Sequence, residues 1–278
     1  MRKAAFFLLT ASLVFALGFK VEKLWETSAV FSVPESVLYD PEGGVLYVSS
    51  IGGSPTAKDG NGFISKMGRD GKILSLRWAT GLDAPKGMAV YRGSLYVSDI
   101  DKLVQIDLST GRILRKYPAP GARFLNDVAV DSEGRVYVSD SSPKNSVIYK
   151  LEKGRMEVWL KNPAVKSPNG IFYRDGKLYI GSFSDGRIFA CHVETGKIRQ
   201  VARAPMVIDG LILDDSMFIL SDWQGRVGIL QDGRFQLLLD LSAGKANAAD
   251  LGFIPGEKII LIPTFFANTV AAYKLNEF

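Results

Sequence analysis

The 278-residue chain has one cysteine, Cys191, and one histidine, His192. A lone cysteine cannot form a disulfide within the chain, so stability must come from the core and from closure of the fold. A lone histidine leaves no second imidazole for a typical zinc site. As neighbours in a strand-like run, Cys191 and His192 point to opposite faces and cannot act on each other as nucleophile and base. No Gly-x-Ser-x-Gly sequence is present, and a Ser-His-Asp hydrolase would have to use His192. No block of like charge occurs either. The net charge is +5, Arg2 and Lys3 supply two of those charges, and the remaining lysines and arginines are dispersed, which gives no support to nucleic-acid binding.

Long apolar runs are confined to the N-terminus. Met1-Arg2-Lys3 followed by apolar sequence from Ala4 to Leu17 reads as a secretory signal peptide over residues 1–18, with Ala16-Leu17-Gly18 as a small-x-small cleavage site. Such a run reaches about 21 Å as a helix, short of the ~30 Å hydrocarbon core of a bilayer, which favours a cleaved signal over an anchor. No cysteine stands directly after it to carry a lipid, and nothing later is apolar for long enough to span a membrane. These features predict a protein that is periplasmic or secreted, with residues 19–278 forming one domain.

What is abundant is β-type sequence that repeats. A small apolar strand, a turn and a second strand ending near Ser-Asp recur, most cleanly as Gly87-Met-Ala-Val-Tyr91 with Leu95-Tyr-Val-Ser-Asp99, and Asp127-Val-Ala-Val-Asp131 with Val136-Tyr-Val-Ser-Asp140. Aligning six copies places Glu35, Lys86, Asn126, Asn169, Asp209 and Ala249 at one position, with steps of 51, 40, 43, 40 and 40 residues. About 40 residues suits a four-stranded propeller blade. Between successive copies lie two further strand-like stretches, joined by turns such as Asp70-Gly71, Ser109-Thr-Gly111 and Asp232-Gly233. The last copy has only three strands, and residues 20–26 form an unclaimed one. The expectation is an all-β, six-bladed propeller whose N-terminal strand completes the last blade. An all-β sandwich uses similar strands but gives no reason for the regular spacing.

The shared position lies where each innermost strand begins, so the six side chains converge on one end of the central channel. Glu35, Asn126, Asn169 and Asp209 would present two carboxylates and two amides, the all-oxygen set that hard divalent cations prefer. Taken singly, each also reads as an ordinary turn residue.

On these residues a family resemblance rests. Pro34-Glu35, Asn126-Asp127, Ser167-Pro-Asn169-Gly170 and Ile208-Asp209-Gly210 resemble the motifs of the senescence marker protein, gluconolactonase and luciferin-regenerating enzyme family, over residues from about 20 to 278. The resemblance implies one divalent cation in the channel, Ca²⁺ first, with Mg²⁺, Mn²⁺ or Zn²⁺ as alternatives, bound by Glu35, Asn169 and Asp209. It implies hydrolysis of a lactone or related ester, with Asp209 catalytic and Asn126 beside metal and substrate. The family's arginine stands two positions before the equivalent of Asn126, whereas Arg123 stands three before it. Arg123 and Lys86 are therefore carried as substrate-binding candidates. Lys86 could instead repel a metal, or pair with Glu35 or Asp209 in its place. At the level of repeats the chain is also similar to NHL-type and strictosidine synthase-like propellers, so a non-enzymatic protein that binds a small molecule or protein through its channel-mouth loops is the alternative.

Residues 51–62 read as an insertion between the second and third strands of the first blade, at the channel mouth, where a loop could act as a lid. Their Asp59-Gly-Asn-Gly62 imitates an EF-hand loop, but Ala57 falls on its first ligand position. Trp223 and Phe265-Phe266 fall on mouth loops, to contact an apolar ligand or to pack between blades. Asp99, Asp140 and Asp222 recur at second-strand ends and are read as structural hydrogen-bond acceptors.

Overall fold

The computed structural model describes residues 18–244 and 246–278; the expected signal peptide lies, apart from Gly18, outside the described residues. The chain forms six four-stranded antiparallel sheets arranged as the blades of a propeller. In chain order the innermost strands of blades one to six are Pro34–Asp40, Pro85–Tyr91, Leu125–Val130, Pro168–Arg174, Leu211–Asp214 and Gly252–Ile254. Blade one continues outward through Val45–Ser50, Gly62–Gly68 and Ile73–Leu82, and blades two to five repeat this order. Blade six runs from Gly252–Ile254 through Ile259–Thr264 and Thr269–Glu277 to Phe19–Glu26 at its outer edge. The first strand of the chain thus pairs antiparallel with the last, from Phe19 opposite Glu277 to Glu26 opposite Ala271.

Position within the blade explains the strand sequences. Second strands such as Val136–Asp140 are buried along their whole length because a neighbouring blade covers each face, so they read as continuous apolar runs without alternation. Outermost strands such as Arg155–Leu160 are half exposed and carry the charge. The core is accordingly divided into six wedges, one between each pair of adjacent blades. One joins Val128, Val138 and Tyr149 of blade three to Leu103 and Tyr117 of blade two, and another joins Val37 and Leu46 of blade one to Leu261 and Val270 of blade six. At two of the outer hairpins, Lys153-Gly154 and Asp232-Gly233, both residues have positive φ, the twist that a two-residue turn between strands needs.

Toward the axis the blades approach backbone to backbone. A Cβ on Gly170 would stand 2.4 Å from the Asp209 carbonyl oxygen and 2.7 Å from the Leu211 nitrogen. Neither atom can retreat without opening the ring. Gly170→Ala is therefore expected to destabilise the protein by about 2–3 kcal/mol, the cost of overpacking a rigid contact. A denaturant midpoint unchanged from the parent would show that the ring is looser than this geometry.

Candidate functional site

The six shared positions do converge, and a backbone irregularity places them. In blades one to four the pairing of the innermost strand with the second strand slips by one residue at or beside Glu35, Lys86, Asn126 and Asn169. In blade five Asp209 donates its N–H to the Ser221 carbonyl while the Ser221 N–H goes to Gly210, so two residues oppose one. This is a β-bulge, which bends a strand and re-aims a side chain. A serine near the end of the second strand completes it: Ser49, Ser139 and Ser221 accept the N–H of Ser36, Asp127 and Gly210 through their hydroxyls at 3.0, 2.9 and 2.9 Å. Ser98 and Ser221 also donate to the carbonyls of Asn126 and Ala249 in the next blade.

All six of the shared-position side chains are buried, Glu35, Asn126, Asn169 and Asp209 to within 3–4% of full burial. Asn169 Nδ2 donates to Asp209 Oδ1 at 2.9 Å, across the blade four–five boundary. Glu35 Oε2, Asn126 Oδ1 and Asn169 Oδ1 are buried acceptors without a donor among the described residues. Burial pushes Asp209 up to about 8, with the charge of Asp250 adding to it and the Asn169 hydrogen bond opposing it. Glu35 is raised well above the usual carboxylate range, by burial first and then by Asp209, while Lys86 pulls the other way. Among the described residues no three His, Cys, Asp or Glu side chains are grouped to hold a metal, so the donor set here is mixed carboxylate and amide.

Lys86 does not take the ion pair that the sequence left open. Its Nζ donates to the carbonyl oxygens of Ala84 at 3.0 Å and Pro55 at 3.1 Å, and lies 4.7 Å from the centre of the Phe124 ring. Burial lowers its pKa, opposed by Glu35 and Asp99. Pro55 belongs to the insertion, so Lys86 ties that loop down at the mouth; Lys58 paired with Asp101 and Gly60 N–H donating to Asp83 Oδ1 tie it to blade two. Beside it Ile51, Ala84, Ile100, Ala249 and Phe265 form a small buried apolar cluster with Trp223 packed against it. Trp223 and Phe265 meet edge to face at 4.4 Å, and only Phe266 projects, at 59% exposure. Arg123 is exposed in the loop before blade three, where its backbone N–H bonds to Asp140 Oδ2.

The recurrent aspartates are clasps. Asp99 accepts from the N–H groups of Asp83 and Ala84, and Asp140 from those of Arg123 and Phe124, fixing the loop that feeds each innermost strand. Asp222 accepts instead from Gln224 and Arg226 within its own loop. Cys191 is fully buried, which pushes its thiol up to about 11, and His192 beside it is exposed.

Two carboxylates in the channel escaped the sequence reading. Asp127 and Asp250 each follow a bulge position and are buried. Asp127 accepts the N–H groups of Val128 and, across the blade boundary, Ile171, both at 2.6 Å. Asp250 Oδ2 accepts from the Ser36 hydroxyl at 2.6 Å, joining blade six to blade one. Burial raises both, Asp250 to about 7 against the pull of the Ser36 hydrogen bond, and the charge of Asp250 adds to the rise at Asp127. Ser36, Gly87, Gly170 and Gly210 hold the other positions of that ring, so a charged residue there was the available signal. Below this ring, at the end of the channel away from the bulges, is a cavity of about 560 Å³ lined by all six innermost strands.

Compared with known proteins, residues 24–201 match the family described as outer membrane protein assembly factor BamB. The chain belongs to that family. No curated protein matches the sequence. Among solved structures it is similar to a streptogramin B lyase, with 15% identity, a TM-score of 0.65, and coverage of 93% of this chain and 98% of that one. It is also similar to a catalytically inactive variant of virginiamycin B lyase from Staphylococcus aureus with quinupristin, at 14% identity, a TM-score of 0.63, and coverage of 92% and 99%. At such identity the likeness is one of fold. Among the described residues of this BamB-family chain, no helix is long and apolar enough to cross a membrane.

Proposed function

We propose that the bulge ring binds one divalent cation, Ca²⁺ first, through Glu35, Asn169 and Asp209 with Asn126 beside it, and that the protein hydrolyses a lactone or related cyclic ester there. The observation that carries this reading is the set of three buried acceptors without donors, Glu35 Oε2, Asn126 Oδ1 and Asn169 Oδ1. Each costs about 1–3 kcal/mol if left unsatisfied, and an oxygen-seeking cation meets all three at once. A bound cation would polarise the ester carbonyl and acidify a water. Asp209, oriented by Asn169 and poised near neutral pH, is the base that takes the water's proton. Lys86, with two of its three donors held by Ala84 and Pro55, keeps one for a substrate oxygen. The product is a hydroxy acid. The same proposal puts the protein outside the cytoplasm as residues 19–278, which N-terminal sequencing of the exported protein checks.

A second reading, a non-enzymatic propeller that binds a protein or small molecule through its mouth loops, is favoured by the assembly-factor family. Elemental analysis separates the two. About one divalent ion per chain, lost in a Glu35→Gln, Asp209→Asn variant, with lactone hydrolysis abolished by chelation, supports the hydrolase. A protein that takes up no ion from excess, yet is folded, moves the function to binding.

A further inference from the structure

The cavity at the far end of the channel is not used by the proposed cation site. We propose that it is a second ligand site, for a small organic amine whose apolar body lies in the cavity and whose ammonium group docks at Asp250 and Asp127.

Blades three and six stand opposite each other in a ring of six, so Asp127 and Asp250 face one another across the axis at the inner end of the cavity, where both contribute to its lining. Neither forms an ion pair with a lysine, arginine or histidine among the described residues, although buried carboxylates are ordinarily paired. Their roles differ. Asp127 has each oxygen on a backbone N–H, which fixes the carboxyl rigidly in place. Asp250 is 8% exposed and uses only Oδ2, on Ser36; no hydrogen bond among the described residues reaches its Oδ1, which is left for a donor in the cavity.

The chemistry of the walls selects the class of ligand. A bare divalent cation needs six or more oxygens, and this end of the channel offers one free carboxylate oxygen with the Ser36 hydroxyl beside it. An ammonium group needs only three acceptors. Met88, Ile171, Leu251 and Phe253 line the space outward from the aspartates, and Tyr91 and Tyr173 line it further along the same strands, surfaces that suit an apolar or aromatic body and a nearby cation. A volume of about 560 Å³ lies within the range of small-molecule sites.

The probes are 2-(4-bromophenyl)ethylamine and its neutral counterpart 2-(4-bromophenyl)ethanol, titrated calorimetrically into the purified protein at about pH 8, above the value of about 7 to which burial raises Asp250. The amine is expected to bind at least about tenfold more tightly than the alcohol. Asp250→Asn should remove that difference, and the cation-site variant Glu35→Gln, Asp209→Asn should keep it, so failure here is distinguishable from failure of the cation reading. Should Asp250→Asn not fold, a crystal of the parent protein soaked with the amine decides, the bromine anomalous signal being expected inside the lower cavity. Equal binding of amine and alcohol, no saturation at millimolar amine, or bromine at the mouth or on the outer surface would overturn the proposal.

Discussion

A chain that begins at Thr27 should not yield a stable monomer. The strand Phe19–Glu26 supplies the outer edge of blade six and is paired along its whole length, with a single register shift between Lys23 and Trp25. Phe19 is buried in the wedge between blades five and six, Val21 packs on the same wedge, and Trp25 packs on the wedge between blades six and one. Two or three such side chains at about 1.5–3 kcal/mol each, with the ladder they sit on, amount to roughly 5 kcal/mol or more, a large part of what holds a domain folded. The deletion also leaves Thr269–Glu277, mostly buried in the intact blade, as an open edge ready to pair with another chain. Size-exclusion chromatography should show aggregate or swapped dimer, and a synthetic Phe19–Glu26 peptide should restore monomer. A monomeric truncated protein melting within a few degrees of the parent would show that the blade closes by other means.

In chelator, thermal stability should fall steadily as pH rises from about 5 to 8, and Ca²⁺ should restore it most at the alkaline end. Asp209 and Asp250 titrate near 8 and 7 in the folded chain, and Glu35 and Asp127 are also raised. An unfolded aspartate loses its proton near 4, so between those values the folded chain holds protons that the unfolded chain has released. The stability these groups contribute is fully present below the unfolded pKa and is lost as pH climbs through the folded values, at up to about 1.4 kcal/mol per pH unit for each group. For a domain of this size that is a drop in Tm on the order of 10 °C. The lowered carboxylates, Glu26, Asp83 and Glu194 among them, act below this window and leave its sign unchanged. A cation binds the ionised forms, so its stabilisation grows with pH. A melting temperature flat or rising across pH 5–8 in chelator would mean that these carboxyls are solvated in the folded chain.

The strands were legible because a blade imposes the same burial on the same element each time, so a short apolar second strand returns at regular spacing in all six repeats. The N-terminal strand was legible by subtraction, since the last copy had three strands and residues 20–26 had no partner. The bulge ring was legible from spacing alone, without knowledge that a bulge produced it. What the sequence hid depends on neighbours far along the chain. Asp127 and Asp250 each read as the first residue of a strand until Ile171 is brought beside one and Ser36 beside the other. The partner of Lys86 was hidden for another reason: Pro55 and Ala84 bind it through carbonyl oxygens, which no residue type advertises.

The bulge has a consequence for how such a ring can change. Its geometry is held by backbone pairing and by serines of the second strand, so the side chain at the extra position contributes nothing to the ladder that displays it. Lys86 and Ala249 occupy the same place as Glu35 and Asp209 with the blades intact. The ring is thus six sockets around one axis, each of which takes an acid, an amide, a base or a methyl group with little reference to the scaffold, and a new coordination sphere or binding specificity can be written one blade at a time.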